Sequence, residues 1–406
     1  MSKDASNLFL TSCLTMKRII ALIIPALCLF SLMSPASGYT SEAHGGERLV
    51  YISIVAPFSG PLAQSGHSML RGARLRMDEH GEESLLHGKA VRLIALDDRG
   101  ESAQARQLAE NIANHPSIGG VIGHLTTKCT LAAVPFYHAA RLATVSPVAS
   151  GSDLDGVRSP YLFRTILSER RQALSLAGYI QKTRDGKAPI ALLSEDSELG
   201  TELKEAFLLG AEQVGLPVQS FSLGTKPFDS LTHAVHEIAS LKPEALFVAG
   251  GYHSAALISR QWPEDIPRPL IVGTFRLISQ EFKELVGNRQ QGIIAAHPCI
   301  WDSDFHRGVK AKLQYEKTWK YRMDWLAAQT YDAVDLLLWA IRESGSNVGS
   351  LDAALRTLNS KKHALPGLAG PIYFNSDGSL AREVSVAEYI DGRWRVKKEQ
   401  GAGSKE

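Results

Sequence analysis

The residue types most suited to chemistry lie in short clusters that follow runs of aliphatic and β-branched residues: 57–66, Asp97-Asp98, 124–129, 147–150, 195–199, 250–253 and 274–276. In open parallel sheets ligands sit beyond the carboxyl ends of the strands, so these clusters are where a site is sought. At Leu125-Thr126-Thr127 an expected strand gives way to an expected helix start. Hydroxyls and free first-turn N–H groups would together make a neutral cradle for a carboxylate there. The alternative is that Thr126 or Thr127 only caps the helix.

Other clusters point less clearly to chemistry. Asp97-Asp98 offers two carboxyls, but adjacent residues at a strand end point opposite ways, so the expectation is a cap followed by a surface charge. His233, His236 and Glu237 share a helix face without an evident third ligand, which favours a solvated face over a metal site. His124, after Gly123, reads as a packed structural histidine. The chain has no GxSxG elbow, no GxxxxGK[ST] loop, no GxGxxG after a strand and no HExxH. Binding is therefore expected rather than turnover, with no metal and no cofactor.

The elements that must position these residues alternate regularly. Strands are expected at 49–55, 91–96, 120–123 and 143–146, separated by helices at 63–79, 102–113 and 127–140. After a connecting stretch at 159–168, a second series places strands at 190–194, 218–222, 245–249, 269–273 and 292–296. Its helices fall at 200–214, 230–241, 254–261 and 279–286. Helices at 308–320, 325–344 and 350–359 and strand runs at 370–374 and 384–389 close the chain. The fold class is α/β, with two doubly wound sheets laid end to end, and the tail helices need a sheet face to cover, most simply the first.

The 406 residues are 44% hydrophobic and 21% charged, enough for a large core and two domains. Lys17-Arg18, the apolar run 19–30 and the small residues Ala36 and Gly38 read as a secretory signal peptide over 1–38, with Met16 a plausible start. Leu27 before Cys28 argues against a lipid anchor. Without residues 1–38 the chain carries 41 basic and 41 acidic residues, which argues against nucleic acid or an anionic membrane as partner. Cys129 and Cys299 then remain, expected as two buried free thiols rather than a bridge.

Five stretches in this order resemble one family: 59–64, 121–125, 146–150, 250–253 and 328–333. Together with the signal peptide they are similar to the type I periplasmic substrate-binding proteins of branched-chain amino acid (leucine/isoleucine/valine) ABC transporters, over 47–396. The resemblance implies two Rossmann-like lobes joined by three crossovers, near 163–167, 296–300 and 370–374. Lobe one would be 47–164 with 300–371 and lobe two 165–296 with 373–397, leaving a flexible tail at 398–406. It also implies a monomer in the periplasm that closes on a small polar ligand and hands it to an ABC permease. The alternative is a sensing subunit that reports to a membrane receptor.

Carried over residue by residue, Thr127 and Ser150 match the hydroxyls that hold the ligand carboxylate, with Thr126 beside them. The backbone at Val148 matches the carbonyl that receives the ammonium, and Tyr252 matches a second-lobe aromatic. Phe275, flanked by Arg276, stands where leucine-type members carry the acid that pairs with the ammonium. Ser65 and Leu199 replace pocket tyrosines, and Gly100 and Thr126 replace paired cysteines. A buried ammonium without a counter-charge costs several kcal/mol, on the order of the penalty for any unpaired buried ion. The expected ligand is therefore a small carboxylate or other polar molecule lacking a free α-amino group, in preference to a branched-chain amino acid.

Overall fold

The computed structural model describes residues 48–397, leaving out 82–84, 185, 187, 224–226, 288–291, 300–305 and 346–349. The expected signal peptide, the start at Met16 and the tail at 398–406 lie outside the described residues.

The first sheet contains β1 (Arg48–Ala56), β2 (Leu85–Leu86), β3 (Lys89–Asp97), β4 (Ile118–Gly123), β5 (Thr144–Ser146) and β6 (Leu162–Arg164), in the order β2-β3-β1-β4-β5-β6. All neighbours run parallel except the short β2 against β3. Val50, Ile52 and Ile54 of β1 enter one core and Val55 another, so the central strand is covered on both faces. Three helices connect these strands: α1 (Ala63–His80), α2 (Ser102–Ala113) and α3 (Thr127–Ala139).

The second sheet repeats the plan. After α4 (Glu169–Thr183) come β7 (Ile190–Ser194), α5 (Glu198–Gln213), β8 (Val218–Ser222), α6 (Pro227–Ser240), β9 (Ala245–Ala249), α7 (Tyr252–Gln261), β10 (Leu270–Gly273), α8 (Gln280–Val286) and β11 (Ile293–His297). Its parallel part has the order β11-β10-β9-β7-β8. β1 therefore lies between β3 and β4, and β7 between β8 and β9. That reversal opens a crevice beyond β1 and β4 in one lobe and beyond β7 and β9 in the other.

The rest of the chain serves both lobes. Beyond α9 (His306–Trp319), α10 (Trp325–Glu343) lays Val334, Leu337 and Ile341 into the first sheet's core. Each such fully buried side chain contributes about 2 kcal/mol. The helix starts at Asp324, whose carboxylate takes the Ala327 N–H at 2.9 Å and the Ser68 hydroxyl at 2.5 Å, pinning it to α1. Gly72 makes the approach possible, because a Cβ there would lie 2.0 Å from the Ala327 carbonyl oxygen. After α11 (Leu351–Arg356), β12 (Leu365–Gly367) and β13 (Gly370–Ile372) form a separate two-stranded sheet. Then β14 (Ser385–Ile390) and β15 (Arg393–Val396) add antiparallel edges to the second sheet.

Several elements differ from the sequence reading. The helix expected at 350–359 is only Leu351–Arg356. The strand expected at 370–374 ends at Ile372, and Ile372, Phe374 and Leu380 all pack in the first core. The chain joins the second sheet only at Ser385, so the third crossover follows Leu380 instead of lying at 370–374. The helix α4 and the strands β2, β6, β12 and β15 add to the expected set. Cys129 and Cys299 are both free and buried.

Candidate functional site

The loop after β1 is held by Asp97. Its Oδ1 accepts from the backbone N–H of Phe58 (2.8 Å) and Arg99 (2.9 Å), and its Oδ2 from the Ser59 hydroxyl (2.6 Å). Burial alone would raise this carboxyl, but the bonds from Ser59, Arg99 and Phe58 outweigh it and hold the pKa below the usual value. Asp98 turns inward. It is fully buried, its Oδ2 meets His124 Nδ1 at 2.7 Å, and its Oδ1 accepts the Gly100 N–H at 2.9 Å. His124 Nε2 lies 3.2 Å from the Tyr137 hydroxyl. The expectation of a cap followed by a surface charge is therefore corrected: both carboxylates are spent on internal bonds, one on a loop and one in the core. His124 is the packed histidine that the sequence suggested.

That buried network reaches His124, two residues before the first threonine of the cradle. Thr126 caps α3, its Oγ1 accepting the Cys129 N–H at 3.2 Å, and Thr127 Oγ1 accepts the Gly151 N–H at 3.0 Å. Both hydroxyls act as acceptors in these bonds, which leaves each its own proton to donate. Capping and anion binding are thus compatible. The Gly151 bond sets Thr127 beside Ser150. Val148 is buried in the first core. Ser65 sits half-buried in the first turn of α1, at the same edge of the sheet.

The partner of Ser150 is a residue that the motifs did not single out. The Ser150 hydroxyl donates to Glu169 Oε1 at 3.1 Å, and the Glu169 N–H donates to the Ser150 carbonyl at 2.9 Å. Glu169 is the first residue of α4, a helix packed in the second core, and is only 2% exposed. Its charge is met by Arg276, which donates from Nε to Oε2 (2.7 Å) and from Nη2 to Oε1 (2.8 Å). Such a bidentate pair is the strong form of the guanidinium–carboxylate contact. The Arg276 side chain is 42% exposed, so its outer edge is open to solvent. Burial would lower its pKa, but Glu169, with Glu195 and Glu202 nearby, keeps it above the ordinary value and firmly cationic.

Phe275 is anchored through its backbone, whose N–H donates to Gln172 Oε1 at 3.1 Å. Its ring meets Trp325, the first residue of α10, edge-on at 5.3 Å between centroids. This contact and the Ser150–Glu169 bond both join elements of the two lobes. Leu199 and Tyr252 pack partly into the second-lobe cores at the ends of β7 and β9. Between them Glu195 Oε1 accepts the Gly251 N–H (3.0 Å) and the Ser254 hydroxyl (2.5 Å). At Gly250 a Cβ would lie 2.3 Å from the Glu195 carboxyl carbon, so a side chain there would push the Glu195 carboxylate aside. Glu202 has its pKa raised by burial, opposed by a bond from the Ser152 hydroxyl and reinforced by Glu169, Asp153 and Asp155.

Direct contacts thus connect Thr127, Ser150 and Phe275 by way of Gly151, Glu169, Arg276 and Gln172. Ser65, Leu199 and Tyr252 stand on the crevice loops of their own sheets. Glu169 and Trp325 are the additions. The signal for Glu169 was Ser168-Glu169 just beyond a short strand, a helix start with an acid in its first turn. His233 lies 3.9 Å from Glu237 on an exposed helix face, and among the described residues no three His, Cys, Asp or Glu gather to hold a metal.

The profile of the periplasmic binding protein family matches residues 50–393. The chain is similar to the Leu/Ile/Val-binding protein homolog 3 of Brucella melitensis, 25% identical over 361 residues, covering 88% of this chain and 95% of the relative. In structure it is similar to a putative branched-chain amino acid ABC transporter protein of Rhodospirillum rubrum, with TM-score 0.73, 23% identity, and 86% and 100% of the two chains covered. It is also similar to a solute-binding protein of an ABC transporter from Rhodopseudomonas palustris BisB5 in complex with 3,4-dihydroxybenzoic acid. That match has TM-score 0.68 and 19% identity, covering 86% and 95%.

Proposed function

The chain belongs to the periplasmic binding protein family, a family of binding proteins rather than enzymes, and we propose that it serves an ABC importer as a receptor for a small carboxylate without an α-amino group. Export by the signal at 1–38 would place it in the periplasm. There the two lobes close about the three crossovers, and the closed form is what the permease recognises. Ligand contacts to both lobes favour closure by their differential affinity for the closed state.

One observation carries the choice of ligand. The loop after β10 presents Arg276, a cation, and that cation is already neutralised by Glu169 against Ser150. An arriving ammonium would meet a guanidinium that already covers the Glu169 carboxylate, whereas a carboxylate finds the Thr126 and Thr127 hydroxyls and the first N–H groups of α3. The Brucella relative is named for leucine, isoleucine and valine, and the Rhodopseudomonas neighbour holds an aromatic acid. The character of Arg276 sides with the second kind of ligand.

Thermal unfolding tests this reading. The purified protein, refolded to strip bound ligand, is screened with amino acids, oxo acids, aromatic carboxylates, amides and short diols. A ligand at 100 times its dissociation constant adds about 2.7 kcal/mol, readily seen as a melting shift. Shifts confined to carboxylates lacking an amino group support the reading. A shift with leucine, isoleucine or valine overturns it.

A further inference from the structure

We propose that Arg276 is a built-in occupant of an ammonium site, a side-chain cation that fills the counter-ion position of Glu169 and so excludes ligands with an α-amino group. This deepens the ligand assignment above and rests on it. Glu169 has the attributes of a ligand-reading acid: it is buried, it starts a helix where the dipole favours an anion, and it bonds to a hydroxyl of the opposite lobe. Two nitrogens of Arg276 take its two oxygens, one each.

A carboxylate lies on the Ser150 hydroxyl and a cation lies beside it, both supplied by the second lobe. The cation is attached by a side chain that reaches in from the solvent edge, since Arg276 is 42% exposed while Glu169 is 2% exposed. Removing the guanidinium therefore opens a path from the crevice to the Glu169 carboxylate without disturbing the core. The vacated place would be strongly acidic, because Glu195 and Glu202 also act on Arg276. Phe275 keeps the loop in register through the Gln172 bond to its N–H, which does not involve the Arg276 side chain.

The experiment uses ligands matched in shape: leucine with 4-methyl-2-oxopentanoate, and phenylalanine with phenylpyruvate. Affinities are measured by titration calorimetry for the full chain and for Arg276→Ala, Arg276→Lys and the double variant Glu169→Gln/Arg276→Ala. The wild type is expected to favour the oxo acid of a pair by at least about tenfold, the factor for a contact of about 1.4 kcal/mol. Arg276→Ala is expected to reverse that preference by a similar factor, and Arg276→Lys to keep it. The double variant carries no unpaired buried charge, so it keeps the test open if Arg276→Ala folds poorly, and it is expected to bind both members of a pair within about threefold of each other, on the order of 0.6 kcal/mol.

An oxo-acid preference that persists unchanged in Arg276→Ala, or in the double variant, overturns the role of Arg276 while leaving the ligand class standing. A wild type that already prefers the amino acids overturns the ligand class itself. The two failures are read from different proteins and are distinguishable.

Discussion

The buried pair Asp98–His124 gives the sharpest test of how the cradle is held. Both side chains are fully buried at 2.7 Å, and His124 immediately precedes the Leu125-Thr126-Thr127 turn. In Asp98→Ala the imidazole loses its partner and the Gly100 N–H loses its acceptor. Breaking one side of a buried pair costs about 3–5 kcal/mol, and part of the Gly100 loss is recovered by water because that residue is only half-buried. A loss of about 4 kcal/mol is a large share of the 5–15 kcal/mol typical of a folded domain. At about 2 °C per kcal/mol, the lower end for larger domains, the melting midpoint falls by about 8 °C. His124→Ala removes the other half, and the double variant should lose less than the sum of the two by about 2 kcal/mol or more. Calorimetric melts of the four proteins measure this. If Asp98→Ala stays within 1 kcal/mol of the parent, or the double variant is additive, then the pair does not support the cradle and the reasoning fails.

Three further outcomes are expected. Thr127→Val removes the acceptor of the Gly151 N–H and a donor to the ligand, so carboxylate affinity should fall by about tenfold while stability drops by about 1 kcal/mol, measured by calorimetry and urea unfolding. Gly72→Ala should cost more than about 3 kcal/mol by overpacking against the Ala327 carbonyl, whereas Gly178→Ala, with nothing within 4 Å, should gain about 0.5–1 kcal/mol from helix propensity. The pH dependence sets two groups against each other. Burial, helped by Arg382 and opposed by the Cys299 backbone, pushes His297 down to about 4, so the stability it supports is full above about 6.5 and is lost as the pH falls towards 4. Burial pushes Asp332 up to about 7 despite bonds from Ala369 and Leu368, so the stability it supports is full below about 3.8 and is lost as the pH rises towards 7. The two nearly cancel between pH 4 and 6.5. His297→Gln should expose a urea midpoint that falls steadily as pH rises across that window, and a flat or rising profile contradicts the balance.

Much of this architecture was legible because parallel strands buried on both faces read as plain apolar runs. Runs such as 245–249 and 190–194 gave their strands to the residue. What escaped was short or weakly marked. β6 has three residues, β12 carries Pro366 between its ends, and β15 alternates Arg393 and Arg395 with Trp394 and Val396. The helix α4 opens on Glu169-Arg170-Arg171-Gln172 and carries Gly178, although Ala173, Leu176, Ala177 and Ile180 form a proper buried stripe.

The candidate site was legible one half at a time. Hydroxyls at the ends of β4 and β5 declare themselves by type and position, because a strand end and a helix start are both local features. The charge balance of the crevice is not local: Glu169 and Arg276 are 107 residues apart, and nothing in their spacing says that they meet. The sequence showed Phe275 as the loss of an acid, but not that another acid stood close by with a cation upon it. The physical link is in α4. Glu169 and Gln172 lie three residues apart on one helix face, so the turn that holds Arg276 through a carboxylate also holds the Phe275 N–H through an amide. A change at one of these residues therefore acts on the other through the same helical turn. For this reason the proposed ligand class rests on Glu169, Gln172, Phe275 and Arg276 taken together, and not on position 275 alone.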